Sequence, residues 1–191
     1  METYYIADMH LGHKNILAYD NRPFKVIEEH DCAIINNWNN RVKEEDDVYI
    51  LGDISWYNPD KTYDIIKSLN GNKHLVIGNH DYELLKNDKI KSLFVEIDDY
   101  IELNNDSSGI ILCHYPICMF KNNYYGWIHL YGHVHNGFEY NMIERMKYEL
   151  TELYDKQYNM YNVGCMMPYM NYTPRTLKEI IKNNKGGSYY E

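Results

Sequence analysis

The sequence predicts an α/β layered sandwich formed by one domain over residues 1–191. Short apolar, β-rich runs recur along the chain; helical stretches separate the early runs, and the later part is mostly strands. A length of 191 residues falls within the ~100–200 usual for one domain. That is enough chain to bury a core without a disulfide or a structural metal.

The strand runs are residues 3–7 (TYYIA), 48–51 (VYIL), 74–77 (HLVI), 110–113 (IILC), 128–131 (IHLY) and 160–163 (MYNV). Their continuous apolar character suits strands covered on both faces. Residues 95–103 (VEIDDYIEL) mix alternation with acidic residues and read as an edge strand. The clearest helix covers residues 26–42, with Val26, Ala33, Ile34, Trp38 and Val42 near one face. Shorter helical pieces are expected over 61–69 and 84–93. Residues 142–154 form an amphipathic pattern through Met142, Ile143, Met146, Leu150 and Leu153. Thr173 and Pro174 make an N-cap and first-turn pair for a last helix near 175–181. The tail 185–191 (KGGSYYE) is expected to fray.

Composition narrows the function classes. Apolar residues make up 45% and charged residues 25%, the balance of a soluble globular protein. The net charge of −9 disfavours a sequence-blind grip on nucleic acid or anionic lipid. No apolar run approaches the roughly 18 residues of a membrane span, and the first residues lack the pattern of a signal peptide. The four cysteines show no CxxC pairing and read as free thiols, so a cytoplasmic location is expected. What this leaves unexplained is nine histidines in an acidic chain.

The histidines gather with carboxylates just past the strand runs. Asp8-Met9-His10 follows the first run and Gly52-Asp53 the second. Gly78-Asn79-His80-Asp81 follows the third, His114 the fourth, and Gly132-His133-Val134-His135 the fifth. In open α/β sheets, sites form beyond the C-terminal ends of strands, so these five loops can meet. Each fragment alone is weak: GNHD could be a plain turn, and HxH a half-exposed strand. The ordered set is what carries weight.

That set, DxH…GD…GNHD…H…GHxH, resembles the calcineurin-like metallophosphoesterase superfamily. Asn162-Val163-Gly164 is similar to the family's late Asn-Pro-Gly turn, with Val163 in the proline's place. The resemblance implies a four-layer α/β/β/α sandwich with a dinuclear metal centre. It implies Asp8, His10 and His135 as ligands of one metal, Asn79, His114 and His133 of the other, and Asp53 as the bridge. Imidazole and carboxylate donors without thiolate independently suit Mn, Fe, Co, Ni or Zn, with Mn preferred. By the same resemblance His80 is not a ligand and would stabilise the transition state or protonate the leaving oxygen. The implied activity is hydrolysis of phosphomono- or phosphodiester bonds, on small nucleotide-like or diester substrates. A protein phosphatase, a nuclease and a non-catalytic scaffold of the same fold are the alternatives.

Other residues carry weaker readings. Asp81 would orient a neighbouring imidazole, or cap a helix starting near Tyr82. Arg22 would fork onto a substrate phosphate, or form a surface ion pair. His13, on the same segment, is a candidate beside it. Tyr115, Tyr124, Tyr125 and Trp127 could stack on a base, although a tyrosine-rich composition explains them as well. Trp56 reads as a packing anchor, and His129 stands outside the ligand pattern. Residues 136–159 would be a lid, a dimer contact or a plain surface helix.

Overall fold

The structure, a computed structural model, describes residues 1–105 and 108–184; the predicted tail 185–191 lies outside them. The first half alternates strand and helix: β1 (Thr3–Ile6), α1 (Ile16–Tyr19), α2 (Ile27–Arg41), β2 (Asp47–Ile50), α3 (Pro59–Ser68), β3 (Asn72–Val76), α4 (Asp88–Lys91) and β4 (Phe94–Asp98). The second half runs β5 (Tyr100–Asn105), β6 (Ser108–Cys113), β7 (Ile128–Tyr131), α5 (Phe138–Tyr154), β8 (Met160–Asn162), β9 (Arg175–Thr176) and α6 (Leu177–Asn184).

These elements form two sheets flanked by helices. One has the order β4-β3-β2-β1-β9, parallel except for β9. The other has the order β5-β6-β7-β8, parallel except for β5. The apolar strand runs are buried as expected: Ile6, Ile50 and Leu75 from the first sheet share one core with Ile111, Leu130 and Met160 from the second. A bridge between Ala7 and Gly164 joins the two sheets where β1 and β8 end. Their C-terminal ends are thereby brought to one edge of the molecule. Among the described residues no helix is long and apolar enough to cross a membrane.

Three expectations are corrected. Residues 95–103 lie at sheet edges as expected but are not one strand. They hold the last four residues of β4 and the first four of β5, which are edge strands of different sheets. Asp98 Oδ1 accepts the N–H of Asp99 at 2.7 Å and makes the corner between them. The final helix does not start at Thr173-Pro174: β9 first pairs with β1, and Thr176 then caps α6. Thr176 Oγ1 accepts the Glu179 N–H while Glu179 Oε2 accepts the Thr176 N–H, a capping box that outcompetes the Thr-Pro signal. Helix α5 begins one turn earlier than its pattern suggests and buries Tyr140, Lys147 and Leu150, leaving Met142 and Leu153 exposed. Ile143 and Met146 pack against the core as expected, but the face shifts toward Lys147, whose ammonium lies 5.5 Å from the Tyr161 ring centroid and 2.8 Å from Glu144.

His129 in β7 is fully buried. Its Nδ1 donates to the Ile111 carbonyl at 3.1 Å, and its Nε2 accepts the Ile117 N–H at 3.0 Å. Burial pushes its pKa down from 6.5 to about 4. Between those values the unfolded chain binds a proton that the folded chain refuses, so stability is lost as pH falls through that window. We expect a loss of roughly 3 kcal/mol at most from this residue, measured by denaturant unfolding between pH 6.5 and pH 4. His129→Gln should flatten that slope; equal slopes in both proteins would refute the assignment.

Candidate metal centre

Five loops leave the ends of β1, β2, β3, β6 and β7 and meet over the joined edge of the sheets. Asp8, His10, Asp53 and His135 each offer one ligand atom, and the four atoms lie within 4.8 Å of one another. His10 Nε2 stands 3.1 Å from His135 Nε2 and 3.7 Å from Asp53 Oδ2. His135 Nε2 is 3.7 Å from Asp8 Oδ1. On its other side, the same Asp53 Oδ2 is 3.7 Å from His114 Nε2. Asn79 Oδ1 lies 3.0 Å from both His114 Nε2 and His133 Nδ1. The Asp53 carboxylate thus joins two groups of donor atoms. Asp8, His10, Asp53 and His114 form a buried floor, and Asn79, His133 and His135 sit half-buried at its rim.

The backbone does unusual work here. Asp8, His10, Asp53, His133 and His135 all have positive φ, between 47° and 68°. Non-glycine residues rarely adopt this region, and Asn, Asp and His do so most readily. Five left-handed residues in three of the strand-end loops turn these side chains into one space. The loops interlock through Asp8 N–H to Gly52 O (3.1 Å), His10 N–H to Asp53 O (2.9 Å) and Gly132 N–H to His114 O (2.9 Å). Gly52 and Gly78 allow the closest approach: a Cβ on Gly52 would stand 2.6 Å from the Gly78 backbone and from His114 Nδ1.

Hydrogen bonds set which ring nitrogen faces the centre. His114 Nδ1 donates to the Leu51 carbonyl at 2.7 Å, and His135 Nδ1 to Asp20 Oδ1 at 2.8 Å. Each leaves an Nε2 lone pair pointing inward. Burial, reinforced by the nearby His135, holds the His10 pKa far below its usual range, so that ring is neutral. Burial and His114 likewise lower His133. Burial raises Asp8 against the pull of His135 and His114, and the His133 N–H lies 3.1 Å from each of its carboxylate oxygens. Carboxylate oxygens, an amide oxygen and imidazole lone pairs therefore converge on one space. That donor set fits first-row divalent cations, whose ligand distances are about 2.0–2.2 Å for zinc as an example.

All seven predicted ligands and His80 are brought together. The His80 ring is exposed, 4.4 Å from Trp56 and 6.2 Å from His10, and its backbone N–H donates to Asp53 Oδ1 at 3.0 Å. Asp81 touches no imidazole and caps no helix. Its buried carboxylate accepts N–H groups of Asp53 (2.9 Å), Ile54 (3.0 Å) and Gly78 (2.8 Å), tying the second loop to the third. Burial pushes its pKa up to about 6 despite those three donors. Arg22 is neither a phosphate fork nor a surface residue. It is 4% exposed, and its donors go to Asp20, His30, Cys165 and the carbonyls of Asp8 and Met9. His13 stacks flat on Trp56, with ring centroids 4.3 Å apart.

Two residues of the site escaped the sequence reading. Trp56 is 38% exposed and is enclosed by the rings of His10, His13 and His80. Asp20 is the buried partner of His135. The signal for Trp56 was its place three residues past Asp53; for Asp20 nothing local marked it. Of the four other aromatics, Tyr115 packs against His114 and His133 at 5.1 and 4.7 Å. Tyr124 packs on Tyr125 and Tyr154, and Trp127 covers Gly109.

The profile of the calcineurin-like phosphoesterase family matches residues 1–174. The uncharacterized protein MJ1445 of Methanocaldococcus jannaschii is 32% identical over 185 residues, covering 95% of this chain and 90% of its own. The gene 66 protein of Mycobacterium phage L5 is 38% identical over 85 residues, 41% of this chain and 39% of that protein. Among solved structures, AQ665 of Aquifex aeolicus, described as of unknown function, superimposes with a TM-score of 0.70 at 28% identity, covering 95% of this chain and 98% of that one.

The packing of the loops can be tested without any ligand. A Cβ at Gly78 would stand 2.6 Å from the Asp53 backbone nitrogen. Gly78→Ala should destabilise the fold by about 1–3 kcal/mol, read as a lower thermal midpoint. An unchanged midpoint would mean that the two loops do not approach so closely.

Proposed function

The chain belongs to the calcineurin-like phosphoesterase family, and from that premise we propose that it is a metal-dependent hydrolase of phosphomono- or phosphodiester bonds. The observation that carries this reading is the position of Asp53 Oδ2, 3.7 Å from the inward nitrogens of both His10 and His114. One carboxylate between two donor groups is what a dinuclear centre requires. Asp8, His10, His135 and Asp53 would hold one ion, and Asn79, His114, His133 and Asp53 the other. Mn is the preferred ion among Mn, Fe, Co, Ni and Zn. The chemistry supplied there by a pair of divalent ions is neutralisation of phosphoryl charge and activation of the attacking water.

The chain's own residues divide the remaining work. His80 is exposed beside the donor groups, where its imidazole can carry a proton to the leaving oxygen. Trp56 packs against that ring and limits where it can lie. Trp56 beside His10 and Tyr115 beside His133 place an exposed aromatic edge next to each donor group. That arrangement supports small nucleotide-like or diester substrates. The net charge of −9 speaks against a nucleic acid polymer.

The test is hydrolysis of p-nitrophenyl phosphate and bis-p-nitrophenyl phosphate with added Mn, alongside metal analysis of the purified protein. Turnover of at least one ester is expected; a protein that binds no metal and cleaves neither ester would overturn the proposal in favour of a non-catalytic scaffold. Asp53→Ala should lose both ions. His80→Ala should keep them while turnover falls about 10²–10⁴-fold. Loss of metal from His80→Ala would show that its role had been misassigned.

A further inference from the structure

We infer that Asp20, held in place by Arg22, is the positioning residue for His135 and supports only one half of the centre, that of Asp8, His10 and His135. The inference rests on the metal-centre reading above. Asp20 lies just after α1, on a segment that supplies no donor atom to the centre. It is 5% exposed, and both of its carboxylate oxygens are engaged. Oδ1 accepts from His135 Nδ1 at 2.8 Å. Oδ2 accepts from Arg22 Nε at 2.9 Å and from an Arg22 terminal nitrogen at 2.7 Å.

A buried carboxylate without a counter-charge is costly, and Arg22 supplies that charge. The same guanidinium donates to the carbonyls of Asp8 (3.0 Å) and Met9 (3.3 Å), in the loop that carries two of the three donors. It also meets His30 Nε2 at 2.8 Å. His30 Nδ1 lies 2.8 Å from Asp31, which accepts the Gly12 N–H at 2.9 Å and the Tyr57 hydroxyl at 2.8 Å. The first loop is therefore gripped at Asp8, Met9 and Gly12 by the network that orients His135. The backbone of His135 is fixed separately, its carbonyl accepting from Asn162 Nδ2 at 2.7 Å.

The other half is built differently. His114 leans on a main-chain carbonyl, which brings no formal charge. A carboxylate behind a ligating imidazole fixes its tautomer and makes its far nitrogen more basic, and loss of such a partner typically costs 10–100-fold in metal affinity. Asp20 gives that support to one side alone.

The experiment is titration of the metal-free protein with Mn²⁺ by calorimetry, with the thermal midpoint of the metal-free state measured in parallel. Wild type should show two binding events. Asp20→Asn should weaken one of them 10–100-fold and leave the other unchanged. A variant with a lowered midpoint but wild-type affinities would reduce Asp20 to a structural partner of Arg22 and overturn the inference. Imidazole ¹⁵N shifts of the metal-free wild type test the same point without any substitution. His135 should carry a proton on Nδ1, and a neutral ring with its proton on Nε2 alone would overturn the inference. Failure of wild type to bind Mn²⁺ at all would instead strike at the metal-centre reading itself.

Discussion

The arrangement of the centre depends on the carboxylate of Asp81. It touches no donor atom, yet it accepts backbone N–H groups from Asp53, Ile54 and Gly78 and so sets the distance between the second and third loops. Those loops carry the carboxylate that joins the two donor groups and the amide of Asn79. Burying an ionisable group between two glycine-lined turns raises its pKa, a cost that three charge-assisted hydrogen bonds offset in part. Tight packing at Gly52 and Gly78 and the left-handed backbone of Asp53 follow from the same constraint. Each loop alone would relax into an easier conformation.

The nine histidines that made the composition unusual fall into distinct physical settings. His10, His114, His133 and His135 converge as donors, with His80 and His13 around Trp56 at their side. His30 is a link in the network behind the first loop. His129 ties the β6 backbone to that of the segment following it, and His74 stacks on Tyr49. One residue type thus serves as lone-pair donor, relay and internal strut, according to what its two nitrogens meet.

Much of the fold and of the converging loops was legible in the sequence, because parallel strands covered on both faces leave unbroken apolar runs with polar residues only at their ends. What stayed hidden has a common cause. Asp20 and His135 are 115 positions apart, and nothing in the residues around Asp20 announces a partner. Arg22 reads from the sequence as a phosphate fork or a surface ion pair because buried guanidinium is rare; only the network around it makes the burial tolerable. Only the limits of the α5 face were hidden: Ile143, Met146 and Leu150 do pack inward, but the inward Lys147 does not count as apolar. The break within residues 95–103 escaped notice because periodicity cannot reveal a change of sheet.

The acidic corner between β4 and β5 has a consequence beyond topology. β4 is the open edge of the parallel sheet, with Val95 67% exposed. A bare edge offers unpaired backbone groups to any passing strand, which is how soluble proteins begin to aggregate. Here that edge is five residues long and carries Glu96 and Asp98, with Asp99 directly after it. Two copies brought together along it would set like charges side by side. The residues that turn the chain from one sheet into the next thus also oppose edge-to-edge self-association.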